Sequence, residues 1–142
     1  MRIVVDASVV VKWCLPDPEV EPDLEVALDV LQGVRHGELE MVQPPHWLLE
    51  VAAVLARLAP GKVDEILDLL DAMEVPVLDS LAVYKQGAAL ARRLDHHLFD
   101  TLYHAVALDR EATLVSADDV YCGKAMPVGG LVRLADWEDG ER

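Results

Sequence analysis

Four carboxylates stand where the surrounding pattern calls for apolar side chains, or at the carboxyl end of a strand-like run: Asp6, Glu50, Asp100 and Asp118. Asp6 separates the apolar runs Ile3–Val5 and Val9–Val11, with Ser8 beside it, and Asp118 follows "TLVSA" in the same way. Glu50 lies within "PPHWLLEVAAVLARL", on the helical side shared by Trp47, Val51 and Val54. Asp100 is bracketed by Phe99, Leu102 and Tyr103. Each has a plainer reading: a turn or helix cap for Asp6 and Asp118, a solvated helix position for Glu50, and a helix-dipole contact for Asp100. Gathered at one edge, the four would repel one another and resist ionisation unless cations intervene. Oxygen-only donors suit hard divalent ions such as Mg²⁺ or Mn²⁺, which keep waters and leave positions for a phosphate. One such ion, or two about 3.5–4 Å apart, supports phosphodiester hydrolysis by activating a water and stabilising the leaving oxygen.

The elements that must position these residues alternate between strands and helices. Residues 2–6 and 113–117 are short, continuously apolar segments, the pattern of parallel strands buried on both faces. Residues 75–79 and 130–137 are further expected strands, and 40–44 a weaker one. Helical spacing predicts helices from Asp23 to about Arg35, from Pro44-Pro45 through Leu58, and over Val63, Ile66, Leu67 and Leu70. A fourth begins after Ser80 and runs toward Arg93, and a fifth extends from near Leu98 to near Arg110. The expected fold is a three-layer α/β/α sandwich with a mainly parallel central sheet, a single domain over residues 1–142. In that architecture ligands bind beyond the carboxyl ends of the strands, where Asp6 and Asp118 fall.

Composition narrows the function class. With 53% hydrophobic and 27% charged residues the chain has globular rather than disordered character. No apolar run approaches the ~20 residues of a membrane span, and the short valine-rich start, broken by Asp6 and Lys12, does not resemble a signal peptide. Cys14 and Cys122 lack metal-ligand spacing, so two reduced thiols in the cytoplasm are expected. The net charge of -14 argues against nucleic-acid binding through bulk charge. It fits ordinary solubility, a basic partner, or acids gathered around cations.

Three stretches, "VVDASVVVKW", "PPHWLLEVAAVL" and "FDTLYHAVALDREATLVSADD", resemble the PIN domain family, and within it the VapC-type toxin ribonucleases of toxin–antitoxin pairs. The resemblance extends over essentially the whole chain. It implies a Mg²⁺- or Mn²⁺-dependent endoribonuclease in which Asp6 and Asp100 are the firmest metal ligands, while Glu50 and Asp118 complete the pocket and orient the attacking water. Ser8 and Ser116 match polar pocket positions, and Lys12 matches a phosphate contact or a snorkelling surface lysine. Also implied are an RNA substrate, a homodimer, and a cognate antitoxin whose basic C-terminal segment enters the site. Asp119 departs from the pattern, because many relatives carry a basic residue there.

Rival readings rest on other residues. A helix starting early would align His96, Asp100 and His104 at four-residue steps as a zinc site, although "LDHH" also suits a loop and cap before the helix. Arg92, Arg93, His96 and His97 form the one locally basic stretch, suited to RNA, an antitoxin or plain solvation. A phosphoaspartate enzyme of the haloacid type would want an aspartate where Ser8 stands, and a receiver domain would want an acidic pair and a lysine that do not fit. A PIN-like module that binds RNA or protein without cutting would be expected to have lost at least one of the four acids.

Overall fold

The computed structural model describes residues 1–17 and 23–138. Its sheet has four parallel strands in the order β2-β1-β3-β4, formed by β1 (Arg2–Val5), β2 (Glu40–Met41), β3 (Thr113–Ser116) and β4 (Leu131–Arg133). Among the described residues, seven α-helices accompany it: α1 (Ala7–Cys14), α2 (Leu24–Arg35), α3 (Trp47–Leu58), α4 (Val63–Asp71), α5 (Leu81–Leu94), α6 (Leu98–Asp109) and α7 (Asp119–Ala125). The expected α/β sandwich is therefore the fold, with a sheet that is parallel throughout. Ile3, Val4 and Val5 are all fully buried, as are Val115 and nearly so Leu114, because central parallel strands are covered on both faces. No helix among the described residues is long and apolar enough to cross a membrane.

The five helices expected from periodicity are present within a few residues of their expected ends. Two helices were not expected. The run Val9–Val11 reads as strand by composition, since β-branched residues favour sheets, yet it lies in α1 with all three valines buried. Asp6 caps that helix, and burial of one apolar face outweighs a propensity difference of well under 1 kcal/mol per residue. Likewise Asp118 caps the short α7.

The expected strand at 75–79 does not form. One isolated parallel bridge, Gln43 with Val77, stands there, because Pro76 has no N–H for a ladder. The strand expected over 130–137 is limited to Leu131–Arg133 and gives way to a tight turn at Leu134–Asp136. At 40–44 the ladder is two residues long.

Gln43 explains why β2 stops early without leaving β1 unsatisfied. Its backbone turns aside, donating to the Pro76 carbonyl at 3.0 Å and accepting from Leu78 N–H at 2.9 Å. Its side chain then takes the place of a strand neighbour: Oε1 accepts from Val5 N–H at 2.7 Å, and Nε2 donates to the Val5 carbonyl at 2.8 Å. Gln43 is completely buried and holds the strand end from which Asp6 emerges. Gln43→Ala leaves two buried backbone groups unpaired, so a stability loss of about 2–4 kcal/mol is expected in urea denaturation. A loss under about 1 kcal/mol would show that water replaces the amide.

Helices α5 and α6 pack closely at Gly87. A Cβ there would meet Leu102 Cδ1 at 3.3 Å, tighter than ordinary contact, and Leu98 Cδ1 at 3.4 Å, at the edge of it. The approach lets Thr101 Oγ1 donate to the Gly87 carbonyl at 2.8 Å, which fixes the first turn of α6, where Asp100 lies.

Candidate metal centre

Asp6 does two things at once. Its backbone N–H donates to the Val115 carbonyl at 3.0 Å, extending the β1–β3 pairing by one residue. Its Oδ2 accepts from Ser8 N–H at 3.1 Å and from Ser8 Oγ at 2.6 Å, so it also caps α1. The cap and the acid-site readings are thus compatible: both bonds fall on Oδ2, and Oδ1 is not consumed by the cap. Ser8 Oγ in turn accepts from Ala117 N–H at 3.0 Å, tying α1 to the segment after β3. Burial pushes the Asp6 carboxyl up to about 6; the two Ser8 bonds oppose this, and the neighbouring Asp100 and Glu50 charges add to it.

Asp6, Ser8, Glu50 and Asp100 line an open cleft of about 390 Å³, together with Ala7, Val11, Val54 and Leu58. Glu50 comes from the first turn of α3 and Asp100 from the first turn of α6. Oε1 of Glu50 lies 3.4 Å from His46 Nε2, one helical turn back, and the same nitrogen lies 2.8 Å from the Phe99 carbonyl. Tyr103 lies close to these three acids. It is fully buried, and among the described residues its hydroxyl meets no acceptor in full hydrogen-bonding geometry. Burial, followed by the charges of Glu50, Asp6 and Asp100, pushes its phenol far up, so it stays a neutral O–H donor near three carboxylates. The Glu50 carboxylate lies within reach of that hydroxyl, and its interaction with the phenol contributes to the rise. The converging carboxylates of Asp6, Glu50 and Asp100 and the raised Asp6 together fit a divalent cation with its waters in this cleft.

Asp118 does not line this cleft. It meets Asp100 from another side, where ligand atoms of His96, Asp100 and Asp118 all lie within 4.8 Å of one another. His96 Nε2 stands 2.8 Å from Asp100 Oδ2. Asp118 Oδ1 accepts from Tyr121 N–H at 3.1 Å, capping α7, and Asp118 N–H donates to Ser116 Oγ at 3.1 Å. Asp100 therefore belongs both to the cleft with Asp6 and Glu50 and to the group with His96 and Asp118.

The remaining predicted residues fall as follows. Ser8 lines the cleft, but its hydroxyl is engaged with Asp6 and Ala117. Ser116 is 1% exposed and its hydroxyl serves the Asp118 backbone, so it positions an acid from beneath instead of facing substrate. Lys12 is 7% exposed, which excludes a snorkelling surface lysine. Asp119 is exposed in the first turn of α7, where its charge suits the helix terminus. The zinc triad with His104 fails. His104 is fully buried, its Nε2 is 2.7 Å from the Gly129 carbonyl, and its Nδ1 is 2.7 Å from Tyr121 Oη. The carbonyl requires a proton on Nε2, so Nδ1 accepts from the phenol and neither nitrogen is open to a metal. Sequence reasoning did not single out His46 or Tyr103. Their helical spacing, four residues before Glu50 and three after Asp100, carries the signal that would have found them.

A profile of the PIN domain family matches residues 3–125, from β1 through α7. No curated protein matches the chain.

Proposed function

The chain belongs to the PIN domain family, generally a metal-dependent nuclease fold, and from this premise we propose that it is a Mg²⁺- or Mn²⁺-dependent endoribonuclease, the toxin of a type II toxin–antitoxin pair of the VapC type. The observation that carries this reading is the convergence of Asp6, Glu50 and Asp100 on one cleft, with the Asp6 carboxyl raised by burial beside the other two charges. Asp6 and Asp100 are the residues to hold the cation, Asp6 oriented by Ser8. A bound divalent ion supplies Lewis-acid polarisation of the phosphate and a nucleophilic water at neutral pH. Glu50, set at the cleft by the first turn of α3, orients that water and accepts its proton. Asp118 completes the acid set through its proximity to Asp100.

RNA reaches this acidic chain through its few basic groups. Exposed Arg92, Arg93 and His97 flank the Asp100 side at the end of α5 and the start of α6. Phe99, 60% exposed, offers a ring on which a base stacks. A homodimer, and an antitoxin whose basic C-terminal segment enters the acidic cleft, belong to the same proposal and suit the net charge of -14.

The test is incubation of the purified chain with a total RNA pool in Mg²⁺, Mn²⁺ or EDTA. Cleavage in either metal that EDTA abolishes is expected. Equal cutting in EDTA overturns the metal-dependent reading, and no cutting in any condition, with tight binding to a small basic protein, marks an interaction module instead.

A further inference from the structure

We propose that His96 supplies a nitrogen ligand to a second cation site, made with Asp100 and Asp118, that prefers Mn²⁺, Co²⁺ or Zn²⁺ to Mg²⁺. The inference deepens the nuclease reading and rests on it to the extent that Asp100 belongs to both groups of acids.

His96 is placed by local structure rather than by chance packing. Asp95 ends α5 in the left-handed region (φ 50°), a conformation that aspartate tolerates better than most residues. The reversal lets His96 N–H donate to the Ala91 carbonyl at 3.0 Å, the six-residue closure of a Schellman motif. The imidazole then packs on the Tyr121 ring, with centroids 4.9 Å apart. Its side chain is 9% exposed. Both α5 and α7 thus hold the ring toward Asp100.

A helical His–Asp pair four residues apart is ordinary by itself. What changes the reading is Asp118, a second carboxylate brought in from α7 with all three donor atoms within 4.8 Å. Ligands at about 2.0–2.2 Å from a common ion are about 3–4 Å apart, so small side-chain rotations suffice. Two carboxylates and an imidazole form a donor set with open positions for water or phosphate. An imidazole ligand shifts preference from Mg²⁺, which favours oxygen, toward later first-row ions. A cation on Nε2 displaces the contact of that nitrogen with Asp100 Oδ2 and puts the ring proton on Nδ1. Lys124 Nζ, a donor 3.4 Å from Nδ1, must then turn from that nitrogen, and its 2.7 Å bond to the Asp95 carbonyl gives it a place to stay.

The experiment is titration of the metal-free chain with Mn²⁺, followed by electron paramagnetic resonance, with electron spin-echo modulation reporting ¹⁴N coupled to the ion. Two bound Mn²⁺ per chain are expected, one of them coupled to nitrogen. His96→Ala should remove the nitrogen modulation and weaken one site at least about tenfold, leaving the other unchanged. Asp118→Asn, which keeps the α7 cap, should weaken the same site. Excess Mg²⁺ should displace the uncoupled ion first. Nitrogen modulation that persists in His96→Ala, or a single Mn²⁺ without nitrogen coupling in the unaltered chain, overturns this inference alone. No Mn²⁺ binding at all overturns the nuclease reading with it.

Discussion

Asp6→Asn is expected to lower metal-dependent RNA cleavage by about 100-fold or more, while stabilising the metal-free chain at neutral pH. The two effects come from separate properties of one carboxyl group. As a cap, Asp6 needs only an oxygen that accepts from Ser8 N–H and Ser8 Oγ, and an asparagine carbonyl provides one. As a ligand it needs a negative charge, which asparagine lacks. That charge is buried beside Glu50 and Asp100, and this is why burial and neighbouring acids push the group up to about 6. A shift of this size corresponds to roughly 2–3 kcal/mol of cost at pH 7, an upper bound because water enters an open cleft. The check is a pair of thermal melts in EDTA at pH 7.5 beside a cleavage assay in Mn²⁺. An asparagine variant that melts below the unaltered chain in EDTA would show that the α1 cap depends on the full carboxylate charge.

The second large effect is a pH dependence that reverses sign when metal is added. Because the native carboxyl is raised above its unfolded value of 3.8 to about 6, the folded chain binds more protons than the unfolded chain between those limits. The stabilisation from Asp6 is therefore complete below about pH 4 and lost as pH rises through about 6. His104 works in the opposite direction. Burial holds it below its ordinary value, so the unfolded chain takes up that proton more readily and stability rises with pH through the imidazole range. Subtracting the Asp6→Asn profile removes the His104 contribution. The stability difference between unaltered chain and variant should fall by roughly 2–3 kcal/mol from pH 4 to pH 7 in EDTA. In saturating Mn²⁺ it should rise over the same range, because the cation selects the ionised carboxylate. Chemical denaturation at each pH measures both, and a flat difference in EDTA would mean that Asp6 is well solvated.

Much of this was legible in the residues, and the parts that were not have definite causes. Helices α2 to α6 showed themselves because their apolar residues recur at three and four positions, a signal that survives any tertiary context. The valines of α1 were not legible as helix, since their composition says strand and only the Asp6 cap and the burial of Val9–Val11 decide otherwise. Pro76 could have warned against a strand at 75–79, and Gln43 had no local signal, because its role is to mimic a missing strand across 38 positions. The acids stood out by type and placement. Their division did not: whether Asp118 meets Asp6 or His96 depends on the turn after β3 and on α7, a helix too short to show periodicity. The choice between His96 and His104 was likewise set by Tyr121 and Gly129, neither of which is adjacent in sequence.

The contact between Ser8 Oγ and Ala117 N–H joins residues 109 positions apart, and it sits beside the acid that anchors the cleft. During synthesis, β1 can pair with β2 early, but its other neighbour, β3, is made only after helices α3 to α6. Asp6 thus waits, without its full surroundings, until residue 115 offers its carbonyl. A nascent chain still held at the ribosome, surrounded by RNA, has no assembled cleft. Long-range closure of this kind is slow compared with helix formation, so the acid-lined cleft is assembled only once residue 115 has been made and has paired with Asp6.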